Sequence, residues 1–339
     1  MLASGGSCVP RAMFMAAASP LFCYRGRTAR STFVAIRFAG LFLAFGFFGA
    51  CDRAQTETQP QRGAQKKIWE EFSGEKTLAH VQAMVDLGPR PPGTEAIEKT
   101  RKYLTKQLEL FGWKVTRQVF TDDTPRGKIE FVNLIATFAG KGSAPSFLIC
   151  SHYDTKIFDT ARFVGANDGG SSTGVLLELA RVLAQRPDLA RRAELVFFDG
   201  EEAYEAFSET DGLYGSRYFA GQLAAQDKTK QYRGGILFDM VGDRSLNITL
   251  PPDSPAEMAR DIFASAEALN LRKYFTYFDR DITDDHTPLN AVGIPTIDLI
   301  DFDYPPWHTP DDTIDKLSAE SLRTVGAVAS YYLSEIALK

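Results

Sequence analysis

Apolar and polar positions along the chain alternate between two rhythms. Over residues 95–111 the apolar residues Ile97, Tyr103, Leu104, Leu108 and Leu110 recur at roughly helical spacing, and Gly112 stops the pattern. Residues 113–120 and 131–138 read as strands. Short, continuously apolar runs at 147–151, 194–198, 235–240 and 295–299 read as buried strands. Helical patterns fall between them at 175–183, 216–223 and 255–269, and a closing helix is predicted over 318–338. Strands that alternate with helices predict an α/β fold, and the early strand pair predicts a mixed, mostly parallel central sheet flanked by helices. In such a sheet ligands gather beyond the carboxyl ends of the strands.

Charge divides the chain unevenly. Across 339 residues, 38 Lys and Arg face 43 Asp and Glu, a net charge of −5. That balance argues against general nucleic-acid binding, which needs a basic surface. Residues 1–50 nevertheless hold Arg11, Arg25, Arg27, Arg30 and Arg37 and no carboxylate. An apolar run follows over 38–50, shorter than the ~20 residues of a membrane-spanning helix but suited to a signal-peptide core. It ends in Phe48-Gly49-Ala50-Cys51, which resembles a bacterial lipobox with Phe48 in the usual place of Leu. Residues 1–50 are therefore expected to be a lipoprotein-type signal peptide, with Met13 or Met15 as alternative starts. A buried N-terminal helix is the competing reading, and nothing charged in the segment balances its arginines. Residues 51–65 are polar and read as a flexible tether, and 66–339 as one catalytic domain. The expected location is the bacterial cell envelope or periplasm, with membrane contact only through a lipid on Cys51. Cys8 and Cys23 leave with the leader, and Cys150 lies in an apolar run where it reads as a small hydrophobe. Any metal must then be held by His and carboxylates.

Chemistry-bearing residues follow each buried strand. His152-Tyr153-Asp154 follows the first, Asp199-Gly200-Glu201-Glu202 the second, and Trp307-His308-Thr309 the last. Asp239 lies near the end of the third, and Asn167-Asp168 precedes a Gly/Ser stretch that opens a helix. Two of the four His in the chain fall in this set. Mixed N and O donors suit zinc, and a catalytic site leaves one position open. The pair Glu201-Glu202 can divide its work, one carboxylate on metal and the other free as acid or base. Alone the pair reads as a solvated acidic turn; joined to the other strand-end residues it reads as a site.

These segments together resemble the zinc-dependent co-catalytic aminopeptidase family, and within it the animal-type glutaminyl-peptide cyclotransferases. The family-wide part is Gly88-Pro89-Arg90-Pro91-Pro92-Gly93, His152-Tyr153-Asp154, Asn167-Asp168-Gly169, Glu201-Glu202 and His308-Thr309. The cyclase-like part adds Leu213-Tyr214-Gly215-Ser216-Arg217, Asp284-Asp285-His286-Thr287-Pro288 and Trp307. The resemblance implies a zinc aminopeptidase-like fold and peptide or protein N-termini as substrates. In its cyclase form it makes Asp168, Glu202 and His308 the ligands of one zinc ion. Glu201 becomes the proton shuttle, Asp239 and Asp284 its hydrogen-bond partners, and Trp307 and Phe207 walls of the substrate pocket. In its aminopeptidase form His152 and Asp239 join as ligands of a second zinc, Asp168 bridges, and Asp154 orients His152. A non-catalytic scaffold would have lost Glu201 or a ligand, and none is missing. Phe207 stands where the cyclases have Trp, Asp298 where they have His, and Ser151 where the secreted animal enzymes have one Cys of a disulfide. The first change keeps an aromatic wall, and the second alters the polarity expected near the pocket.

Weaker candidates remain. His286 reads equally as a site residue or as packing, and His80 as surface or packing. Asp311, Asp312 and Asp315 are expected to cap the last helix or face water. Phe302, Tyr304 and Trp307 are expected to form an apolar rim that Pro305-Pro306 stiffens.

Overall fold

The computed structural model describes residues 67–140, 142 and 144–339. The leader, the tether and Cys51 lie outside the described residues. Two helices open the described chain, α1 (Ile68–Glu71) and α2 (Gly74–Leu87); Ser73 caps α2 by accepting from the Lys76 N–H. Thr94 caps α3 (Glu95–Leu110) in the same way, and that helix buries Ile97, Leu104 and Leu108 along one face. A hairpin follows, β1 (Trp113–Thr124) and β2 (Gly127–Phe138). Both strands run past the predicted boundaries. Apart from the half-buried Ile129 their added residues are polar or glycine and mostly exposed, so the backbone ladder extends where no hydrophobic alternation marks it.

Strand β3 (Ser146–His152) leads to α4 (Gly170–Leu183) and a short α5 (Pro187–Ala190). Helix α4 begins five residues before its predicted start. Its first turn, Gly170-Ser171-Ser172-Thr173-Gly174, has poor helix propensity, but close packing decides: a Cβ at Gly174 would stand 2.9 Å from Val81 Cγ2. Then come β4 (Ala193–Phe198), α6 (Tyr214–Ala225), β5 (Tyr232–Asp239), β6 (Ile248–Leu250) and α7 (Ala256–Ala268). The chain closes with β7 (Phe275–Tyr277), α8 (His286–Ala291), β8 (Thr296–Ile300) and α9 (Ala319–Tyr332), which a π turn extends over Leu333–Ala337. The elements β6, β7 and α8 are too short to carry a readable period in the sequence.

All eight strands form one mixed sheet in the order β1-β2-β4-β3-β5-β8-β6-β7. The four central strands, β4, β3, β5 and β8, are parallel. Both faces of these strands are buried, which is why they read as unbroken apolar runs. In β3, Phe147 and Ile149 face the larger core beneath α2, α4 and α9, while Leu148 and Cys150 face the smaller one with Phe219, Leu223 and Leu289. Cys150 is a buried free thiol in that second core. Among the described residues no helix is long and apolar enough to cross a membrane.

Close packing between the chain ends sets one test. A Cβ at Gly326 of α9 would overlap the Phe72 ring at the end of α1. Gly326→Ala is expected to cost about 1–3 kcal/mol in urea unfolding through overpacking. An unchanged midpoint would show that the Phe72 segment yields freely.

Candidate active site

The parallel strands end together, and the site is built where they end. His152 and Asp239 are the last residues of β3 and β5, and the turn Asp199–Glu202 leaves β4. Asp154 ties two of these ends together. Its Oδ1 lies 3.4 Å from His152 Nδ1 and accepts from the Glu201 N–H at 3.1 Å, and its Oδ2 accepts from the Glu202 N–H at 3.4 Å. The start of the β4 turn is anchored from below, where Asp199 accepts from Arg101 at 2.5 Å and from the Val132 N–H at 2.7 Å.

Asp168 arrives on the loop before α4. Gly165 and Gly169, at φ 51 and 69, let that loop fold tightly, and a Cβ at Gly169 would press on His152 at 2.8 Å. Two residues hold the loop. Asp312 accepts from the N–H groups of Asn167 and Asp168 at 2.8 and 3.1 Å and from the Tyr304 hydroxyl at 2.8 Å. Arg90 has no solvent exposure and donates to the carbonyls of Tyr153, Val164 and Gly165 at 2.7, 2.6 and 2.8 Å. Burial lowers the Arg90 pKa to about 10 against the pull of Asp154 and Asp168, so it remains a cation at neutral pH.

Neither role was legible. Asp312 was expected at a helix cap or in water; it is buried and caps the Asp168 loop, while Asp311 and Asp315 are exposed as expected. Arg90 stood in a recognised motif, but no spacing linked it to acceptors more than sixty residues away.

Last comes His308. Its backbone is in the left-handed region at φ 54, and the Trp307 ring stacks on it at 4.2 Å. His308 Nε2 lies 3.4 Å from Asp168 Oδ2 and 3.2 Å from Glu202 Oε2. Both oxygens are buried and have no hydrogen-bond partner. One atom each from Asp168, Glu202 and His308 therefore converge within 4.8 Å, with the donor chemistry that zinc accepts. Burial lowers the His308 pKa, but Asp168 and Glu202 outweigh it and push it up to about 9, the mark of a site that attracts a cation. The other oxygen of Asp168 faces a second trio: His152 Nε2 lies 3.3 Å from Asp168 Oδ1 and 3.2 Å from Asp239 Oδ1.

A cavity of about 390 Å³ opens over the first trio, bordered by Glu201, Asp239, Asp284, Phe207 and Trp307. Phe207 and Trp307 are each 38% exposed and form its rim, with the Phe302 ring packed at a tilt against Trp307 at 5.0 Å. Burial pushes the Glu201 carboxyl above its ordinary range, opposed by His152 and reinforced by Asp284. Asp284, buried and beside Asp239, is pushed up to about 6. Asp285 is also buried but does not border the cavity. Asp298 does not border it either; it lies within β8, a layer beneath. His80 is half-buried, meets the Tyr103 hydroxyl at 2.6 Å and does not border the cavity.

A family model described as peptidase family M28 matches residues 133–333. The chain belongs to peptidase family M28. Among its relatives is a glutaminyl-peptide cyclotransferase-like protein of Bos taurus, 30% identical over 73% of this chain and 72% of that protein. Among solved structures, a glutaminyl cyclase of an Acidobacteriales bacterium superposes with a TM-score of 0.72 at 30% identity, covering 78% of this chain and 94% of that one. A Zn-dependent exopeptidase of Parabacteroides distasonis superposes with a TM-score of 0.70 at 27% identity, covering 77% and 98%. The mixed sheet with its flanking helices matches the fold of these solved structures.

The Arg90 anchor generates a prediction. Arg90→Met leaves three buried carbonyls without donors, at roughly 1–3 kcal/mol each. Unfolding in urea is expected to shift by at least ~3 kcal/mol, with weakened metal retention. A variant with wild-type stability would show that water replaces the guanidinium.

Proposed function

We propose that this chain is a zinc-dependent glutaminyl-peptide cyclotransferase, which converts an N-terminal Gln of peptides or proteins to pyroglutamate and releases ammonia. The observation that carries the reading is the placement of Glu201, beside the unpartnered oxygens of Asp168 and Glu202, in a small cavity rimmed by Phe207 and Trp307. The named activities of its relatives support the same reading.

Zinc held by Asp168, Glu202 and His308 would supply polarisation of the substrate's side-chain amide carbonyl. Glu201 takes a proton from the attacking α-amine. The amine nitrogen bonds to the amide carbon, the bond to the amide nitrogen breaks, and Glu201 returns the proton so that ammonia leaves. A carboxyl held above its ordinary range by burial suits a group that both accepts and donates near neutral pH. Asp284 and Asp239 border the same cavity and bias that proton electrostatically. Nucleophile and target belong to one residue, so holding its folded-back conformer between Phe207 and Trp307 supplies much of the rate.

We assign one zinc ion to the cluster of His152, Asp168, Glu202, Asp239 and His308. All three members of the trio around His308 border the cavity, whereas His152 is buried and does not border it. The second reading, a two-zinc aminopeptidase, rests on that His152 trio and on the two-sided placement of Asp168. Incubation with a Gln-initiated and a Leu-initiated peptide separates the two by mass spectrometry. Loss of ammonia from the first, with the second intact, is expected; loss of a whole N-terminal residue would establish the aminopeptidase. Glu201→Gln should keep its zinc and lose at least ~100-fold in turnover.

Residues 66–339 form the catalytic domain in this reading, with 1–50 a removed leader, 51–65 a tether and Cys51 a lipid attachment point in a bacterial envelope. The charge asymmetry and the 38–50 apolar run support it. Cys51→Ser should move the protein from the membrane to the soluble fraction on cell fractionation; a wild type already soluble would remove the lipid anchor.

A further inference from the structure

Behind Asp284, which borders the cavity, lie two buried ionisable side chains that the chemistry above does not use. Asp298 in β8 and His286 in α8 are 0% and 1% exposed, and Asp284 is 2% exposed. Asp284 uses one oxygen, Oδ1, to accept from the Asp285 N–H at 2.5 Å. Its Oδ2, both oxygens of Asp298 and Nδ1 of His286 are buried and have no hydrogen-bond partner. One ligand atom from each of Asp284, His286 and Asp298 lies within 4.8 Å of the other two.

We propose that Asp284, His286 and Asp298 hold a divalent zinc-type cation, at a site separate from the trio of Asp168, Glu202 and His308. Unmet polar atoms at one buried point carry the argument. Each such atom costs roughly 1–3 kcal/mol, more when charged, and a single cation between them would meet one atom of each residue. The spacing agrees. His286 Nδ1 stands 3.6 Å from Asp298 Oδ2, too long for a hydrogen bond. It is close to the ~3.4 Å that separates two ligands of a tetrahedral ion with bonds near 2.1 Å.

The other ring nitrogen, Nε2, is also buried and without a hydrogen-bond partner. A metal-bound imidazole characteristically turns its remaining N–H toward a carboxylate. Asp253 Oδ2, on a residue about half exposed, stands 3.5 Å from Nε2, at ion-pair distance and not in a hydrogen bond, which gives the site a solvent side. Two carboxylates and an imidazole form a mixed O/N donor set of the kind zinc takes. The competing arrangement keeps Asp298 protonated, since burial and the nearby Asp284 raise its carboxyl pKa. It would leave the imidazole and both Asp298 oxygens at distances where no proton is shared. A bound cation also holds Asp284 in one orientation where it borders the cavity beside Glu201.

The test is anomalous diffraction at the zinc edge from crystals of the wild-type protein equilibrated with Zn²⁺, paired with elemental analysis of the desalted protein. An anomalous peak between Asp284, His286 and Asp298 is expected. Asp298→Asn should lose one equivalent of zinc and keep the peak at Glu202, and Glu202→Gln should do the reverse. Wild-type crystals with zinc at Glu202 and none at Asp298 would overturn the proposal. So would a second equivalent located at His152 and Asp239 with the Asp298 position empty. The wild-type map does not depend on the variants folding, and neither readout depends on the proposed activity.

Discussion

Arg90 is a full positive charge with no contact with water, and much of the site's architecture follows from where it sits. Its guanidinium spans the carbonyls of Tyr153, Val164 and Gly165, joining the end of β3 to the loop that delivers Asp168. Burying a cation is costly unless its donors are met and anions stand nearby. Here the backbone meets the donors, and Asp154, Asp168, Asp312 and Glu202 supply the field. The same carboxylates would repel one another without it. Cation and loop therefore stabilise each other.

The second organising device is the carboxylate used as a backbone clamp. Asp154 accepts from the N–H groups of Glu201 and Glu202, Asp312 from those of Asn167 and Asp168, and Asp211 from those of Tyr204, Glu205 and Ala206. Each clamp fixes a loop whose side chains reach the cavity. The oxygens left over, on Asp168 and Glu202, are then free of backbone duties and face His308. The division between clamping and unpartnered carboxylates separates the supporting groups from those that the proposed zinc would use. Backbone strain also reaches the site: Met240, directly after Asp239, and His308 both occupy the left-handed region at φ 49 and 54.

Asp298 illustrates how a departure from a family pattern is read differently once its layer is known. From the resemblance it seemed to bear on pocket polarity, yet it lies beneath the cavity and faces His286 and Asp284. Phe207 does reach the rim, where it can serve as the aromatic wall that the comparison implied.

Much of the fold was written in local pattern. Period and run length gave the central strands and the longer helices, because a strand buried on both faces must be apolar throughout and a half-buried helix must be amphipathic. The order of His152, Asp168, Glu201, Glu202, Asp239 and His308 along the chain, set against those strands, was enough to place them at one sheet edge. Polar or very short elements escaped this reading: the outer half of the β1–β2 hairpin, the Gly/Ser opening of α4, and β6, β7 and α8. They are held by backbone pairing or close packing, which leave no hydrophobic period. The roles of Arg90, Asp312 and His286 were decided only in three dimensions. An arginine or aspartate in a loop looks solvated until the fold supplies acceptors or donors from distant segments, and burial is a property of the assembled layers rather than of any local stretch of residues.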